Sequence, residues 1–338
     1  MIKTRTIRMS LILLSFAFGV AIFIWLINRE GFAEISQHVA RFGFLPFLGF
    51  LALSIFNFIF YSWRWQIITN RHLPKSQHIS LIRMYMNRMS GYAASYLTPA
   101  AQVGGEPVRI AMLASEGVPL KQATSSVVLD VAFELAAYIA FILAGVALAM
   151  FGGLAVGSVT IVLVGLAVAL AIIISFFVII ARGRLFFTPL LRFFRIDRIG
   201  KLKRFENSLK KTEGMMSEFL SGKPWLLVGI SLLSLFVIAF RIVEVFYIAH
   251  FLGVSFGFAE AFLVATLPGV ALLLPVPAGL GIYEGGFAAV FTVLSIPLSA
   301  VAFALIIRAR DLIFILVGLT QMLDRGRAFI EKRLLRVK

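Results

Sequence analysis

The sequence predicts an all-α, polytopic membrane protein with six full spans and two re-entrant Pro/Gly hairpins in an inverted-topology repeat, both termini cytoplasmic. Three observations predict it. Of 338 residues, 60% are apolar and only 14% are charged, and the mean hydropathy of +0.97 lies far above that of a soluble domain. Apolar runs of 18 or more residues recur, each long enough to cross ~30 Å of hydrocarbon at ~1.5 Å per residue. Two stretches 178 residues apart carry one punctuation: Pro99, Glu106 and Pro119 in the first, Pro277, Glu284 and Pro297 in the second.

Full spans are expected at about 9–27, 44–63, 121–150, 158–181, 225–250 and 299–323. The first follows Lys3, Arg5 and Arg8 as a signal peptide would. It is long for such a segment, however, and Asn28-Arg29-Glu30 follows in place of a small-residue cleavage site, so it is expected to be a retained span. The connections alternate in charge. Segment 64–122 holds seven Lys/Arg (Arg64, Arg71, Lys75, Arg83, Arg88, Arg109, Lys121), the turn at 151–157 none, 182–224 eleven, 251–298 none, and the tail beyond 323 six. The positive-inside rule then places both termini in the cytoplasm.

Segment 64–122 begins and ends on the cytoplasmic side yet holds an uncharged run at 89–103, whereas 251–298 begins and ends outside and is apolar almost throughout. Both fit hairpins that dip into the membrane from opposite faces. Repeat one would cover about 44–150 and repeat two about 225–323, within one transmembrane domain spanning 1–338. Pro99, Gly104, Gly105, Pro277, Gly279 and Gly281 would shape the hairpin backbone. Interrupted segments at matching places in two halves point to a transporter binding site. Irregular backbone at that depth needs protein or a water-filled cavity around it, so the hairpin tips are expected to meet at a cavity. In the competing layout, 258–275 and 286–306 are full spans and the chain crosses eight times.

Ionisable residues inside apolar segments cost ~2.5–3.5 kcal/mol each on insertion scales, so each needs a reason. Asp130 and Glu134 share one face of the 121–150 helix and repel each other, so a purely structural account of them needs a cation beside them. Arg241 and Glu244, spaced i,i+3, have the spacing to pair. Arg308 and Asp311 share a face of the last span, which also holds Arg310. The repeat offset maps 130 onto 308, so Asp130 and Arg308 are expected to face one another. Glu106 and Glu284 each fit either a helix-start acid or a site residue. Arg109 fits either an anion site at a helix start or an ordinary cytoplasmic-side charge. Tyr283, Gln102 and Thr98 are further cavity candidates.

The formal charge of +16 lies in strips between apolar segments, which suits anionic headgroups and not nucleic acid. In 182–224, Leu190, Leu191, Phe193, Phe194 and Ile196 alternate with Arg192, Arg195 and Arg198, as in an amphipathic cytoplasmic helix at the headgroup layer. The chain has no cysteine, and His38, His72, His78 and His250 lack metal-ligand spacing, so no metal and no cofactor is expected. No phosphate-binding Gly-x-x-x-x-Gly-Lys-Ser/Thr loop is present, which excludes that route to ATP-driven work.

The run LTPAAQVGGE at 97–106 continuing to Arg109, the run PAGLGIYEGG at 277–286, and Arg308 resemble the flippase-like transmembrane family typified by the amino-terminal domain of bacterial lysyl-phosphatidylglycerol synthase/flippase, over about residues 5–325. That resemblance implies an integral membrane protein that moves a lipid between leaflets. In fused members of the family a soluble aminoacyl-transferase domain makes the lipid. No such domain follows here before Lys338, so lipid aminoacylation is not expected.

The expected function is therefore non-enzymatic: translocation of an anionic or aminoacylated phospholipid, or of a polyprenyl-phosphate-type lipid, in the cytoplasmic (inner) membrane. Its site would draw on Glu106, Arg109, Asp130, Glu134, Arg241, Glu244, Tyr283, Glu284, Arg308 and Asp311. Membrane lipids would be its substrates, and the sequence leaves the oligomeric state open. The competing class is a membrane glycosyl- or phospho-transferase acting on a polyprenyl carrier. It lacks an Asp-x-Asp pair and a large extramembrane domain. A scaffold, the third class, leaves the intramembrane acids without a purpose.

Overall fold

A computed structural model describes residues 2–98, 104–151, 159–193, 203–269 and 276–335, and every regular element among them is helical. In chain order these are α1 (Ile2–Glu30), α2 (Phe32–Phe42), α3 (Phe44–Arg71), α4 (Leu81–Leu97), α5 (Gly105–Ser115), α6 (Leu120–Phe151) and α7 (Val159–Ala181). They continue with α8 (Phe187–Phe193), α9 (Lys203–Leu220), α10 (Pro224–Phe251), α11 (Phe258–Thr266), α12 (Ile282–Val293) and α13 (Ala300–Leu335).

Three helices among the described residues are long and apolar enough to cross a membrane: α3, α6 and α10. The bent pair α1 and α2, which meets at 87°, makes a fourth if counted as one span. α13 has the length, but Arg308, Arg310 and Asp311 interrupt its apolar run. The apolar part of α7 within the described side chains is Ala167–Ala181.

Both Pro/Gly stretches are breaks between short helices. α4 and α5 flank the first, α11 and α12 the second, and the order long, short, short, long occurs twice (α3–α6 and α10–α13). At ~1.5 Å per residue, the 9 residues of α11 and the 12 of α12 cover well under ~30 Å of hydrocarbon. Neither 258–275 nor 286–306 is one helix: α11 ends at Thr266, and α12 ends at Val293 before a turn at Ser295, where φ is 51°.

The chain divides into two compact units, with boundaries inside α3, α4, α5 and α10. Unit 1 comprises Met1–Phe58, Met86–Arg109 and Ala239–Lys338. In it α12 packs on α1, α11 and α13, and Leu26, Ile35, Val301 and Ala302 form a buried cluster. Glu30, at the end of α1, accepts from Ser299 Oγ at 2.5 Å and from the backbone N–H of Val301 at 3.2 Å, and so caps the start of α13. The turn before α12 lies against α1: a Cβ on Gly281 (φ 74°) would strike the Gly19 carbonyl.

Unit 2 comprises Ile59–Tyr85 and Ile110–Ile238. Leu129, Phe133, Phe176, Ile180, Met216 and Phe219 make its core, where α6, α7 and α9 meet. Met216, Phe219 and Leu220 of α9 pack into this core, and the stretch 194–202 of the expected headgroup-layer helix lies outside the described residues. Glu213 on α9 is buried and accepts from the Phe186 and Phe187 N–H groups, both at 2.6 Å, and from Thr188 Oγ at 2.5 Å, fixing the start of α8.

Candidate functional site

Unit 2 holds a buried ionic cluster. Arg64, on α3, donates Nε to Asp130 and Nη2 to Glu134, each at 2.8 Å, and Nη1 to Ser234 Oγ at 3.4 Å. Arg64 and Asp130 are fully buried, while the Glu134 side chain stays a third exposed. The paired acids on α6 therefore have the cation their spacing demanded. The repeat offset had offered Arg308 for that role. Instead Arg64 is the cation on Asp130, and Glu284 is the acid on Arg308. Arg64 escapes a sequence reading because α3 continues for two turns past the end of the uncharged run at 63 and carries it into the core.

The larger cluster is in unit 1 and is built around α13. Glu284 stands in the first turn of α12, fully buried, and accepts from Arg308 Nε at 2.8 Å and from Arg308 Nη2 at 3.4 Å. Arg308 Nη1 also donates to the Ala278 carbonyl at 2.5 Å and to the Tyr96 hydroxyl, and Nη2 to the Gly279 carbonyl at 3.0 Å. A guanidinium has five N–H groups in a planar fork, and here each has an acceptor. The Tyr96 and Tyr283 rings flank it, with Cζ 5.3 and 5.1 Å from their centroids.

The last turn of α4 and the turn before α12 thus converge on one side chain. Tyr96 is in the last turn of α4, three residues before Pro99, and Ala278 and Gly279 form the turn before α12. That turn runs left-handed, with Ala278 at φ 55°, Gly279 at 58° and Gly281 at 74°. Glycine adopts this region freely, whereas alanine strains there, and the conformation aims two successive carbonyls at Arg308. Pro277 opens the turn. Pro99 and Gln102 lie outside the described residues; on either side of them Thr98 and Gly104 lie close together, since a Cβ on Gly104 would meet the Thr98 side chain.

A second ion pair adjoins. Arg310 donates to Asp311 from Nε at 3.1 Å and from Nη2 at 2.8 Å; its Nη1 reaches Ser54 Oγ at 3.1 Å and Glu244 at 3.3 Å. Ser54 also donates to Glu244 at 2.8 Å. The acid that the i,i+3 spacing offers to Arg241 is thus held by Ser54 and Arg310, while Arg241 shares a pocket wall with it. The Tyr96 hydroxyl donates to Asp311 at 3.3 Å and so joins the two ion pairs. A narrow cavity of about 20 Å³ has Arg241, Glu244, Arg310 and Tyr283 as its polar wall, with Phe50 and Phe287 among the apolar residues. That space holds about one ordered water.

Glu106 lies in the first turn of α5, half-buried, and Arg109 follows one turn later, buried. Arg109 crosses α4 at Gly91, where a Cβ would strike its aliphatic stem, and Gly105 packs against the Gly91 carbonyl. Ser54, Tyr96 and Arg310 are the site residues the sequence does not single out. A serine in an apolar helix and a tyrosine beside a break carry no pattern, and Arg310 has a signal only as a third charge in the last span. Among the described residues no group of His, Asp and Glu has the geometry to hold a metal ion.

The sequence profile described as the lysylphosphatidylglycerol synthase TM region matches residues 12–318. No curated protein and no solved structure matches the chain.

Proposed function

From the premise that this chain belongs to the family of the lysylphosphatidylglycerol synthase TM region and is a multi-pass membrane protein, we propose that it is a lipid translocase and not an enzyme. Its substrate would be a phospholipid or polyprenyl-phosphate-type lipid whose headgroup enters the polar site of unit 1 while the chains remain in the bilayer. The observation that carries the proposal is the meeting on Arg308 of the last turn of α4 and the turn before α12, beside a small cavity of mixed charge. Two interrupted segments meeting at one charged residue is the architecture of alternating-access sites. The two long–short–short–long sets would be inverted repeats, both termini would be cytoplasmic, and the cytoplasmic (inner) membrane would be the location.

Redistribution of headgroup-labelled lipids between leaflets of proteoliposomes tests the proposal, with wild type beside Glu106→Gln, Arg308→Ala and Arg308→Lys. Wild type should speed redistribution of one lipid class. Each variant should lose at least about tenfold, since about 1.4 kcal/mol of barrier is a factor of ten. Lysine keeps the charge but offers three donors in place of five, so it should not rescue. Absence of redistribution for every lipid, with or without a proton gradient, sinks the reading. A change in lipid mass assigns a transferase instead.

A further inference from the structure

The 11 residues of α2 join the expected first span, α1, to the candidate span α3. α1 ends at Glu30 and α3 starts at Phe44, on either side of it. The start of α13 is tied to the same place: Val301 and Ala302 cluster with Ile35, and Glu30 accepts from Ser299. The end of α10 is there too. Phe251 meets Phe42 edge-on with centroids 6.3 Å apart, and a Cβ on Gly253 would strike the Arg41 guanidinium. α2 turns 87° from α1, so where α1 crosses a bilayer, α2 runs along its surface.

The residues of α2 sort by side. At ~100° per residue, Ile35 and Phe42 share the side turned to protein, and both are buried. Beside them Val39, Phe32, Ala40 and Ala33 fall within an arc of ~120° and all are exposed. The polar residue in that arc, Ser36, has its hydroxyl on the Ala33 carbonyl at 2.9 Å. Glu34, Gln37 and Arg41 lie on the far side, also exposed. Phe32 is 76% exposed, and the apolar exposure continues into the start of α3, with Phe44 at 75% and Leu45 at 77%.

We propose that α2 lies flat in the lipid headgroup layer of the leaflet opposite the one where α1 begins, with Phe32, Ala33, Val39 and Ala40 against acyl chains and Glu34, Gln37 and Arg41 in water. The occupant of the exposed arc is lipid because the arc runs on into α3, a span that lipid must surround. An amphipathic helix of this kind buries its apolar face ~5–10 Å into the boundary between headgroups and chains. The same seat sets a level for α13. Ala300 starts that helix beside Glu30 and Ile35, and Arg308 follows eight residues later. At ~1.5 Å per residue Arg308 then lies at most ~12 Å beneath the layer. Half of a ~30 Å hydrocarbon core is ~15 Å, so α2 keeps the Arg308 cluster from passing the midplane. This inference rests on the chain being a membrane protein, and it adds to the translocase reading the device that sets the depth of its site.

Because the chain has no native cysteine, single-cysteine spin labels at Ala33, Ala40, Glu34 and Gln37 report where each side of α2 lies. The full chain is reconstituted in vesicles of phosphatidylglycerol and phosphatidylethanolamine. Relaxation of each label is recorded with oxygen, which partitions into lipid, and with a neutral nickel chelate, which stays in water. Oxygen should dominate at Ala33 and Ala40, and nickel at Glu34 and Gln37. A label at Leu312, exposed on α13, should be reached by oxygen and shielded from nickel. Phe32→Ser together with Val39→Ser leaves the buried Ile35 and Phe42 in place; it should shift the Ala40 label from oxygen toward nickel with the Tm in detergent unchanged. Nickel dominance at all four positions of α2 puts the helix outside the membrane and overturns the proposal. Oxygen dominance at all four makes α2 part of a re-entrant segment and overturns it equally. Shielding of Ala33 and Ala40 from both reagents means that protein covers the arc, which removes lipid as its occupant. The expected alternation in a protein that redistributes no lipid keeps α2 in the headgroup layer and discards the translocase. Redistribution by a protein whose α2 shows no alternation does the reverse.

Discussion

Arg64 shows how a buried charge is tolerated and what it costs to disturb one. Its guanidinium meets two carboxylates and a serine with no exposure to solvent, so Arg64→Ala strands Asp130 as an uncompensated buried anion. That truncation should cost about 3–5 kcal/mol, read as a lowered Tm in detergent. Replacing Arg64, Asp130 and Glu134 together with leucine should cost far less if the cluster serves structure alone. Retained stability with lost redistribution would give it a role in transport. Ala278 bears a smaller strain at φ 55°; Ala278→Gly should relieve roughly 1 kcal/mol at that position while loosening the turn. What the sequence disclosed at this scale was need, not partnership. Two acids one turn apart in an apolar helix require a cation, but nothing in the spacing names Arg64. Tyr96 was illegible, since its role comes from three-dimensional meeting with Arg308 and Asp311 across more than 200 residues.

At the scale of elements, apolar run length and Pro/Gly punctuation were legible because each acts locally. α5 begins directly after Gly104, the second interruption falls where Pro277 and Gly281 mark it, and Glu106 and Glu284 both occupy first turns of the helices that follow. Charge alternation did not disclose that α9 packs its apolar side on α6 and α7, because an amphipathic face looks the same whether lipid or protein covers it. Glu213→Ala removes three bonds to one carboxylate and should raise hydrogen exchange across α8 at a cost of about 3 kcal/mol; Glu213→Gln should cost less. His72, directly after α3, is held below its ordinary pKa of 6.5, mainly by burial, with Arg71 adding to the effect and Glu218 opposing it. The unfolded chain therefore takes up the proton more readily than the folded one. The resulting stability is full above pH 6.5 and falls as pH drops below it. In His72→Gln, the dependence of Tm on pH between about 5 and 7 should flatten.

For the whole molecule, topology is the open quantity that labelling settles. Single cysteines at Val103 and Leu280, in a chain with none of its own, should react from opposite faces of the membrane. Reaction from one face would remove the inverted repeat. The candidate spans bury only 17–33% of their apolar windows inside the protein, and Phe44, Leu45, Trp225 and Leu232 stand exposed, so lipid or detergent must cover them. Unit 1 is assembled from three separate stretches of chain, and this sets a schedule for its birth. The Gly19 surface of α1 that receives the turn at Gly281 leaves the ribosome some 260 residues ahead of that turn. At ~5–20 residues per second, the first helix waits roughly 13–50 s before the turn it will cradle has been made. During that interval the Gly19 face of α1 must be shielded by lipid or by an insertion partner, although another part of the same helix already has α2 as its neighbour.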